Sequence, residues 1–144
     1  MMTSVKEQVR ERLKGKAVNW YEHCERRVYV SIKPELLRET VNFLFKELGF
    51  RFSTASGTDT PAGIEILYHF SYDKTGEIIS LRVLIEDKKN PHIDSIATEF
   101  AAGEWIEREI WELLGVKFIG HPNLKHLLLI DDWPKGKYPL RHEK

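Results

Sequence analysis

The residues best suited to chemistry lie near the C-terminus, where a helical segment containing Glu109 runs into the stretch GHPNLKH. The Glu109 carboxylate and the His121 imidazole would form an acid–base pair if the fold joined them, which would make the protein a free-standing soluble enzyme. His121 and His126 are five residues apart, and Pro122 stands between them. Two metal ligands on one helix need a spacing of four, so this spacing argues against a metal site. The simpler role for His121 is to hold the chain through a ring hydrogen bond.

Other catalytic and cofactor-binding patterns are missing from the sequence. It contains no Walker loop, no glycine-rich dinucleotide fingerprint and no nucleophile elbow. The single cysteine, Cys24, excludes an internal disulfide and a cysteine-based metal cluster. Its neighbour His23 alone does not make Cys24 a catalytic thiol. We therefore expect no catalytic, cofactor-binding or metal-binding residues in this chain.

Glu109 lies in the last predicted helix, which covers roughly residues 95–114 and which Gly103 divides into a short turn and a longer helix. On a helical wheel, one half is apolar apart from one carboxylate; its members are Ala102, Trp105, Ile106, Glu109, Ile110, Leu113 and Leu114. The other half places a tryptophan among charged residues: Glu104, Glu107, Arg108 and Trp111, with Glu112 near the boundary. We expect the apolar half to pack on the protein's own sheet. Trp111 is then expected at a partner interface, because tryptophan is enriched at interface hot spots.

A buried Glu109 needs hydrogen-bond donors, because an unpaired carboxylate in apolar surroundings is costly. Arg141, or the backbone near Gly120 and His121, would supply them. This predicts that Glu109 is a structural anchor between the helix and the C-terminal segment rather than a catalytic acid. Two simpler interpretations stay open: Glu109 pairs with a nearby arginine or reaches water through a helix tilt, and Trp111 lies partly exposed over an arginine.

Residues 116–144 combine prolines and glycines with many bulky apolar side chains. A disordered tail would be poor in such side chains, and a long apolar segment without a period of its own is usually functional. We therefore predict a domain covering residues 1–115, followed by an extended C-terminal arm, residues 116–144, that packs on a partner subunit. An arm folded back on the protein's own sheet is the alternative.

The segments before the arm show helix and strand patterns in the order α-β-β-α-β-β-β-α. Val28, Val30 and Ile32 alternate along one predicted strand, and the segments GIEILYHF and IISLRVLIE form a hairpin around the turn YDKTG. Helices and strands do not alternate strictly, which argues against a doubly wound parallel sheet. The expected fold class is α+β, arranged as a two-layer sandwich.

Charge and hydropathy argue against several protein classes. The 22 basic and 22 acidic residues balance to a formal charge of zero, whereas a nucleic-acid-binding protein usually carries a basic excess. No apolar run reaches the ~18 residues that a membrane span needs. The polar start MMTSVKEQVRERLKGKA lacks the apolar core of a signal peptide. We expect a soluble intracellular protein that does not bind nucleic acid.

The stretch WIEREIWELLGVKFIGHPNLKHLLLIDDW and the terminal YPLR carry a more specific signal. They combine ERE, an acidic residue three positions before a glycine, F-x-GHP-x-L and PLR. The residues in this pattern are Glu107, Arg108, Glu109, Glu112, Gly115, Phe118, Gly120, His121, Pro122, Leu124, Pro139, Leu140 and Arg141. The pattern resembles the 30-kDa (C) subunit family of NADH-quinone oxidoreductase, respiratory complex I. We assign these residues, together with Trp111 and Trp133, to the expected partner interface.

The resemblance implies a cofactor-free subunit in the peripheral arm of a membrane-bound electron-transfer complex, embracing the large D-type subunit related to [NiFe] hydrogenase. A neighbouring iron–sulfur subunit is the second expected partner, and the membrane is reached only indirectly, from the cytoplasmic face. Glu112 stands where the family often has aspartate, and the sequence stops shortly after PLR. In both respects the chain is similar to the homologous subunit of energy-converting membrane-bound [NiFe] hydrogenases and related archaeal ferredoxin-linked complexes.

Overall fold

A five-stranded mixed sheet lies at the centre of the computed structural model, which describes residues 4–125, 134 and 137–141. Its strands are β1 (Ala17–Cys24), β2 (Arg27–Ile32), β3 (Arg51–Thr60), β4 (Gly63–Tyr72) and β5 (Glu77–Ile85). Their spatial order is β1-β2-β5-β4-β3. Strands β2 and β5 pair in parallel, and the remaining neighbours in this sheet pair antiparallel. The predicted strands are all present, and β4 and β5 form the predicted hairpin.

One face of the sheet is apolar because buried and more exposed residues alternate along the strands. On β4, every second side chain is fully buried: Ile64, Ile66, Tyr68 and Phe70. The same alternation on β2 and β5 buries Val28, Val30, Ile32, Ile79, Leu81, Val83 and Ile85. Helical residues join these side chains in one hydrophobic core. The result is a two-layer α+β fold, which confirms the predicted fold class.

Within the described residues, three helices accompany the sheet: α1 (Val5–Arg12), α2 (Leu37–Asn42) and α3 (Ala101–Leu114). A turn at Pro34–Leu36 precedes α2, and a wider helical turn over Phe43–Glu47 extends it. Helix α3 packs closely on β3 at Gly57, where a Cβ atom would lie 2.6 Å from Leu114 Cδ1. The absence of a side chain at that position therefore sets how near the helix lies to the sheet.

Helix α3 begins later than the sequence predicts. It starts at Ala101, not at residue 95, and Gly103 is a buried residue inside the helix rather than a division point. Residues 95–100 form turns instead, with the Phe100 N–H donating to the Ile96 carbonyl at 3.3 Å. The predicted start was wrong because backbone and side-chain groups of this segment bind a helix residue, as described below.

Two short strands form a second, parallel sheet that the sequence analysis missed: β6 (His92–Asp94) and β7 (Lys117–Ile119). Val116 and Phe118, on either side of the start of β7, are buried in the hydrophobic core. Residues 116–119 therefore pack with the preceding domain, whereas the extended arm beyond them stays a prediction. Strands of three residues are too short to show a period, which is why this segment resembled part of an extended arm.

Candidate interface on the last helix

Helix α3 is rotated about its axis relative to the orientation that the helical wheel suggested. Of the predicted inner half, Ile110 and Leu114 are buried as expected. The side facing the protein's own fold contains Gly103, Glu107, Arg108, Ile110, Glu112 and Leu114. Glu109 is exposed, and Trp105 has 58 % of its surface in contact with solvent. Trp111 is half-buried and packs against the core rather than lying on an outer polar side. The predicted burial of Glu109 is therefore wrong.

Glu107 is the carboxylate that acts as an anchor on this helix. One oxygen, Oε1, accepts a hydrogen bond from the Ser95 hydroxyl at 2.5 Å, and Oε2 accepts one from the Ile96 N–H at 2.9 Å. The Ser95 hydroxyl in turn accepts from the Ala97 N–H at 3.0 Å. A carboxylate on the inner side of the helix is tolerated because these donors satisfy it. The anchored segment is the turn before the helix, not the C-terminal arm.

Burial is the main cause of the raised pKa values of Glu107 and of its neighbour Tyr68. Loss of solvent raises the pKa of its carboxyl from 4.5 to about 7, against the opposing effect of the hydrogen bonds from Ser95, Ile96 and Ala97. The fully buried Tyr68 hydroxyl lies on β4, and burial together with the negative charge of Glu107 raises its pKa well above the ordinary value. Both groups therefore favour their neutral forms more strongly than free side chains do.

Arg108 connects the helix to the chain beyond β7. Its Nε donates to the Lys125 carbonyl at 3.0 Å, and the side chain is buried. The guanidinium carbon also lies 5.5 Å from the centroid of the Trp105 ring. Arg108 thus fixes the turn that contains GHPNLK on one side and supports the exposed indole on the other.

His121 holds the same turn through its ring, as the sequence analysis predicts. Its Nε2 lies 3.0 Å from the Glu104 carbonyl oxygen, and its Nδ1 accepts a hydrogen bond from the Asn123 N–H at 2.9 Å. A carbonyl only accepts and a backbone N–H only donates, so the ring is neutral with its proton on Nε2. Both nitrogens are occupied, which leaves His121 no free nitrogen to act as a base with Glu109.

The C-terminal end of α3 is closed by Gly115 and by residues 138–141. Gly115 adopts a left-handed conformation with φ of +81°, and a Cβ atom there would lie 2.6 Å from the Tyr138 ring. The Leu140 N–H donates to the Leu113 carbonyl at 2.9 Å. Glycine is therefore required here both for the backbone turn and for the close approach of Tyr138.

Arg141 binds the last turn of α3 and a buried acid on β3. Its Nη1 donates to the Leu114 carbonyl at 3.1 Å, and its Nη2 to the Lys88 carbonyl at 2.7 Å. Its Nε lies 3.7 Å from Oδ2 of the buried Asp59, whose Oδ1 pairs with the Lys88 ammonium at 2.5 Å. A cation at this position suits the unpaired carbonyls at a helix C-terminus. The predicted pairing of Arg141 with Glu109 is wrong, since Asp59 takes that role.

The remaining residues of the expected interface lie in different surroundings. Phe118 is buried, Leu124 packs partly against the core, and Pro122, Pro139 and Leu140 are exposed. Trp133 and His126 lie outside the described residues. Within the described ranges there is no cluster of three or more metal-binding side chains, and no helix has the length and hydropathy that a membrane span requires.

Four residues that build this region were not predicted from the sequence: Asp59, Lys88, Ser95 and Tyr68. The burial of Asp59 could have been predicted from the sequence. Asp59 follows Ala55 and Gly57 at the alternate positions of β3 that face α3. An acidic residue on the inward side of a strand is unusual and calls for a cationic partner. The hydroxyls of Ser95 and Tyr68 left no such signal, because their roles depend on where Glu107 lies.

Comparison with known proteins agrees with the sequence pattern. The family described as "Respiratory-chain NADH dehydrogenase, 30 Kd subunit" matches residues 30–144. The C subunit of the NADH-quinone oxidoreductase of Rhodobacter capsulatus is 35 % identical over 121 residues, which cover 79 % of this chain and 58 % of that protein. Its counterpart in Salinispora tropica is 34 % identical over 119 residues, covering 76 % of this chain and 49 % of its own length. The chain thus spans about half of these relatives.

Two solved structures share the fold. A chain of the membrane-bound sulfane sulfur reductase, an archaeal respiratory membrane complex, superposes with a TM-score of 0.82 and 24 % identity, covering 95 % of this chain and 81 % of that one. A trypsin-resistant fragment of Nqo5 superposes with a TM-score of 0.68 and 22 % identity, covering 83 % and 96 %. The family match over residues 30–144, the two bacterial relatives and the shared fold lead to one conclusion: the chain belongs to the family of the respiratory-chain NADH dehydrogenase 30 Kd subunit.

Proposed function

We propose that the chain is an accessory, cofactor-free subunit of a membrane-bound electron-transfer complex of the complex I type. In this role it docks on the large subunit related to [NiFe] hydrogenase and stabilises it. An iron–sulfur subunit of the same complex is its second neighbour. The chain itself lies at the cytoplasmic face of the membrane and reaches the membrane only through its partners.

One observation carries the proposal: every polar residue of ERE, GHP and PLR except the exposed Glu109 binds the protein's own backbone. Glu107 holds the turn before α3, His121 binds the Glu104 carbonyl, and Arg141 binds the Leu114 carbonyl at the end of the helix. These residues build a fixed surface rather than a reaction site. A fixed surface without a reactive group is what a docking protein needs.

The related proteins support the same role. The two bacterial relatives belong to NADH-quinone oxidoreductases, and the archaeal chain with the same fold comes from a respiratory membrane complex. Glu112, at a position where the family often has aspartate, makes an energy-converting hydrogenase or a ferredoxin-linked complex the preferred assembly. The free-standing enzyme is disfavoured, because the His121 ring has both nitrogens occupied.

The test is recovery of the assembly through this chain. The full chain, carrying an affinity tag, replaces the native copy in cells, and the membranes are solubilised in mild detergent. We expect mass spectrometry to find a large hydrogenase-like subunit and an iron–sulfur subunit in equimolar amounts with the tagged chain. An equally tagged, unrelated soluble protein provides the background.

A deletion strain separates a stabilising role from a catalytic one. Without the chain, the large subunit should fall to low abundance, and the electron-transfer activity of the membranes should fall in proportion to the assembled complex. Recovery of the tagged chain alone would contradict the proposal. So would a fully assembled complex that has lost turnover only.

A further inference from the structure

We propose that the outward side of α3, built around Trp105 and Glu109, is a docking surface for another subunit, which presents an apolar socket to the indole and a lysine or arginine to the carboxylate. This inference rests on the proposed function, since it requires that the chain works inside an assembly. It assigns the contact to the side of the helix opposite Trp111.

The outward side of α3 has the composition of a docking surface. Trp105 is 58 % exposed, and Ala101 and Glu109 lie one turn before and one turn after it on the same line of the helix. Ala102 is exposed as well, and Ile106 is half-buried. The Trp105 indole therefore projects beyond the small side chains of the preceding turn. The two alanines there leave room for a partner.

The indole is also held in place before any partner arrives. The Arg108 guanidinium lies 5.5 Å from the Trp105 ring centroid and is itself fixed by its bond to the Lys125 carbonyl. On the same helix, His121 secures the following turn to the Glu104 carbonyl. Side chains that are ordered in advance lose less entropy on binding, and tryptophan is prominent among the residues that dominate interface energies.

Charge identifies the chemistry of the partner. Helix α3 contains four glutamates and one arginine, and it buries Glu107, Glu112 and that arginine. The charges it presents outward are those of Glu104 and Glu109. Glu104 accepts a hydrogen bond from the Asn123 amide at 3.4 Å, whereas Glu109 has no ion pair or hydrogen bond with any residue in the described part of the chain. A partner that covers Trp105 therefore also meets this exposed carboxylate, which a cationic side chain would complement.

Another exposed aromatic residue provides a matched control. Tyr21 on β1 is 54 % exposed, so its exposure is close to that of Trp105. It lies on the sheet beside His23 and Tyr29, with ring centroids 6.2 and 6.4 Å away. Truncation of Tyr21 removes a similar exposed aromatic group without touching α3.

The experiment compares Trp105→Ala with Tyr21→Ala in the tagged full chain, recovered from solubilised membranes as described above. We expect Trp105→Ala to reduce the co-purified large or iron–sulfur subunit at least tenfold, and Tyr21→Ala to leave it within twofold of the wild type. Thermal melting of each isolated variant checks that the fold is intact. Ala101→Arg is the second variant, because it adds bulk and positive charge to the exposed strip without entering the core, and it should also reduce recovery.

Glu109 tests the charge part of the inference. Glu109→Gln should weaken the dependence of recovery on salt concentration, and Glu109→Lys should reduce recovery more than the glutamine variant at low salt. If Glu109→Lys assembles as well as the wild type, the inference that the partner presents a cationic side chain to Glu109 is wrong. If Trp105→Ala and Ala101→Arg both assemble normally, the docking surface is wrong while the proposed function stands.

Two further outcomes would show that no other subunit binds this surface. If the wild-type chain recovers no subunit at all, both the docking surface and the proposed function are overturned. If the wild-type chain dimerises in light scattering and Trp105→Ala alone is monomeric, the strip binds a second copy of this chain, and the inference of another subunit is overturned.

Discussion

The two sides of α3 use the same residue types for different purposes. Each side carries a tryptophan and glutamates, yet Glu107 is buried with its own donors and Glu109, two residues later, is exposed. Trp111 packs on the core and Trp105 projects outward. The difference lies in what each side faces: the inner side meets β3 and the turn at 95–97, whereas the outer side meets solvent. Residue type alone therefore does not tell an anchor from a docking group.

The largest effect should come from removing the inner carboxylate. Glu107→Ala leaves the Ser95 hydroxyl and the Ile96 N–H without their acceptor, and unsatisfied buried donors cost about 1–3 kcal/mol each. We expect the free energy of unfolding to fall by about 3 kcal/mol in urea denaturation at pH 6. Glu109→Ala, two residues away, should change it by less than ~0.5 kcal/mol, as for most surface substitutions. Equal losses of stability from the two substitutions would contradict the assignment of Glu107 to the buried side of α3 and of Glu109 to the exposed side.

The pH dependence of stability should distinguish the same two carboxylates. The pKa of Glu107 is about 7 in the folded state, against 4.5 for an ordinary glutamate. Between these values the folded state binds more protons than the unfolded state, so stability falls as pH rises. The contribution of this carboxyl is fully present below pH 4.5 and is lost as pH rises through 7.

A pH series measures this contribution directly. We expect the wild type to lose about 2–3 kcal/mol of stability between pH 5 and pH 8 through Glu107, because each unit of pKa difference corresponds to about 1.4 kcal/mol and most of the difference is traversed in this range. The loss should be absent in Glu107→Gln and unchanged in Glu109→Gln. A steeper or equal slope in Glu107→Gln would show that another group titrates.

Substitution of Trp111 should mainly lower the stability of the fold, whereas substitution of Trp105 should mainly weaken assembly. Trp111→Ala removes a half-buried side chain that packs on the core, and we expect a loss of about 1–2 kcal/mol in thermal unfolding. Trp105→Ala should change the stability of the isolated chain by less than ~0.5 kcal/mol. The sequence pattern instead predicts that Trp111 lies at a partner interface. Normal stability of Trp111→Ala combined with failed assembly would support that interface role.

The smallest effect should come from the turn after β7. His121→Ala removes one hydrogen bond to the Glu104 carbonyl and one from the Asn123 N–H, in a partly exposed position. We expect a loss of about 1 kcal/mol, in the range of ordinary hydrogen bonds, and faster amide exchange at residues 121–125. His121→Asn should recover part of this protection. Exchange that stays at the wild-type rate in His121→Ala would show that Arg108 alone holds the turn.

Local sequence patterns were sufficient to predict the strands of the main sheet, the β4–β5 hairpin, the α+β class and the family. Each of these follows from local patterns: period-two alternation in residues 63–72 and 77–85, a glycine-containing turn between them, and motifs with fixed spacing. The ring hydrogen bond of His121 was also predictable, because Pro122 and the neighbouring residues leave few other roles for that imidazole.

The buried side of α3 could not be predicted from the sequence. Both sides carry apolar residues and acids, so the wheel cannot distinguish them, and the choice is made by partners distant in sequence. Ser95 and Ile96 supply the donors that allow Glu107 inside, Gly57 lets the helix approach β3, and Asp59 rather than Glu109 receives Arg141. A buried carboxylate is stable only where several donors converge. That convergence is a property of the assembled fold, and no local spacing in the sequence encodes it.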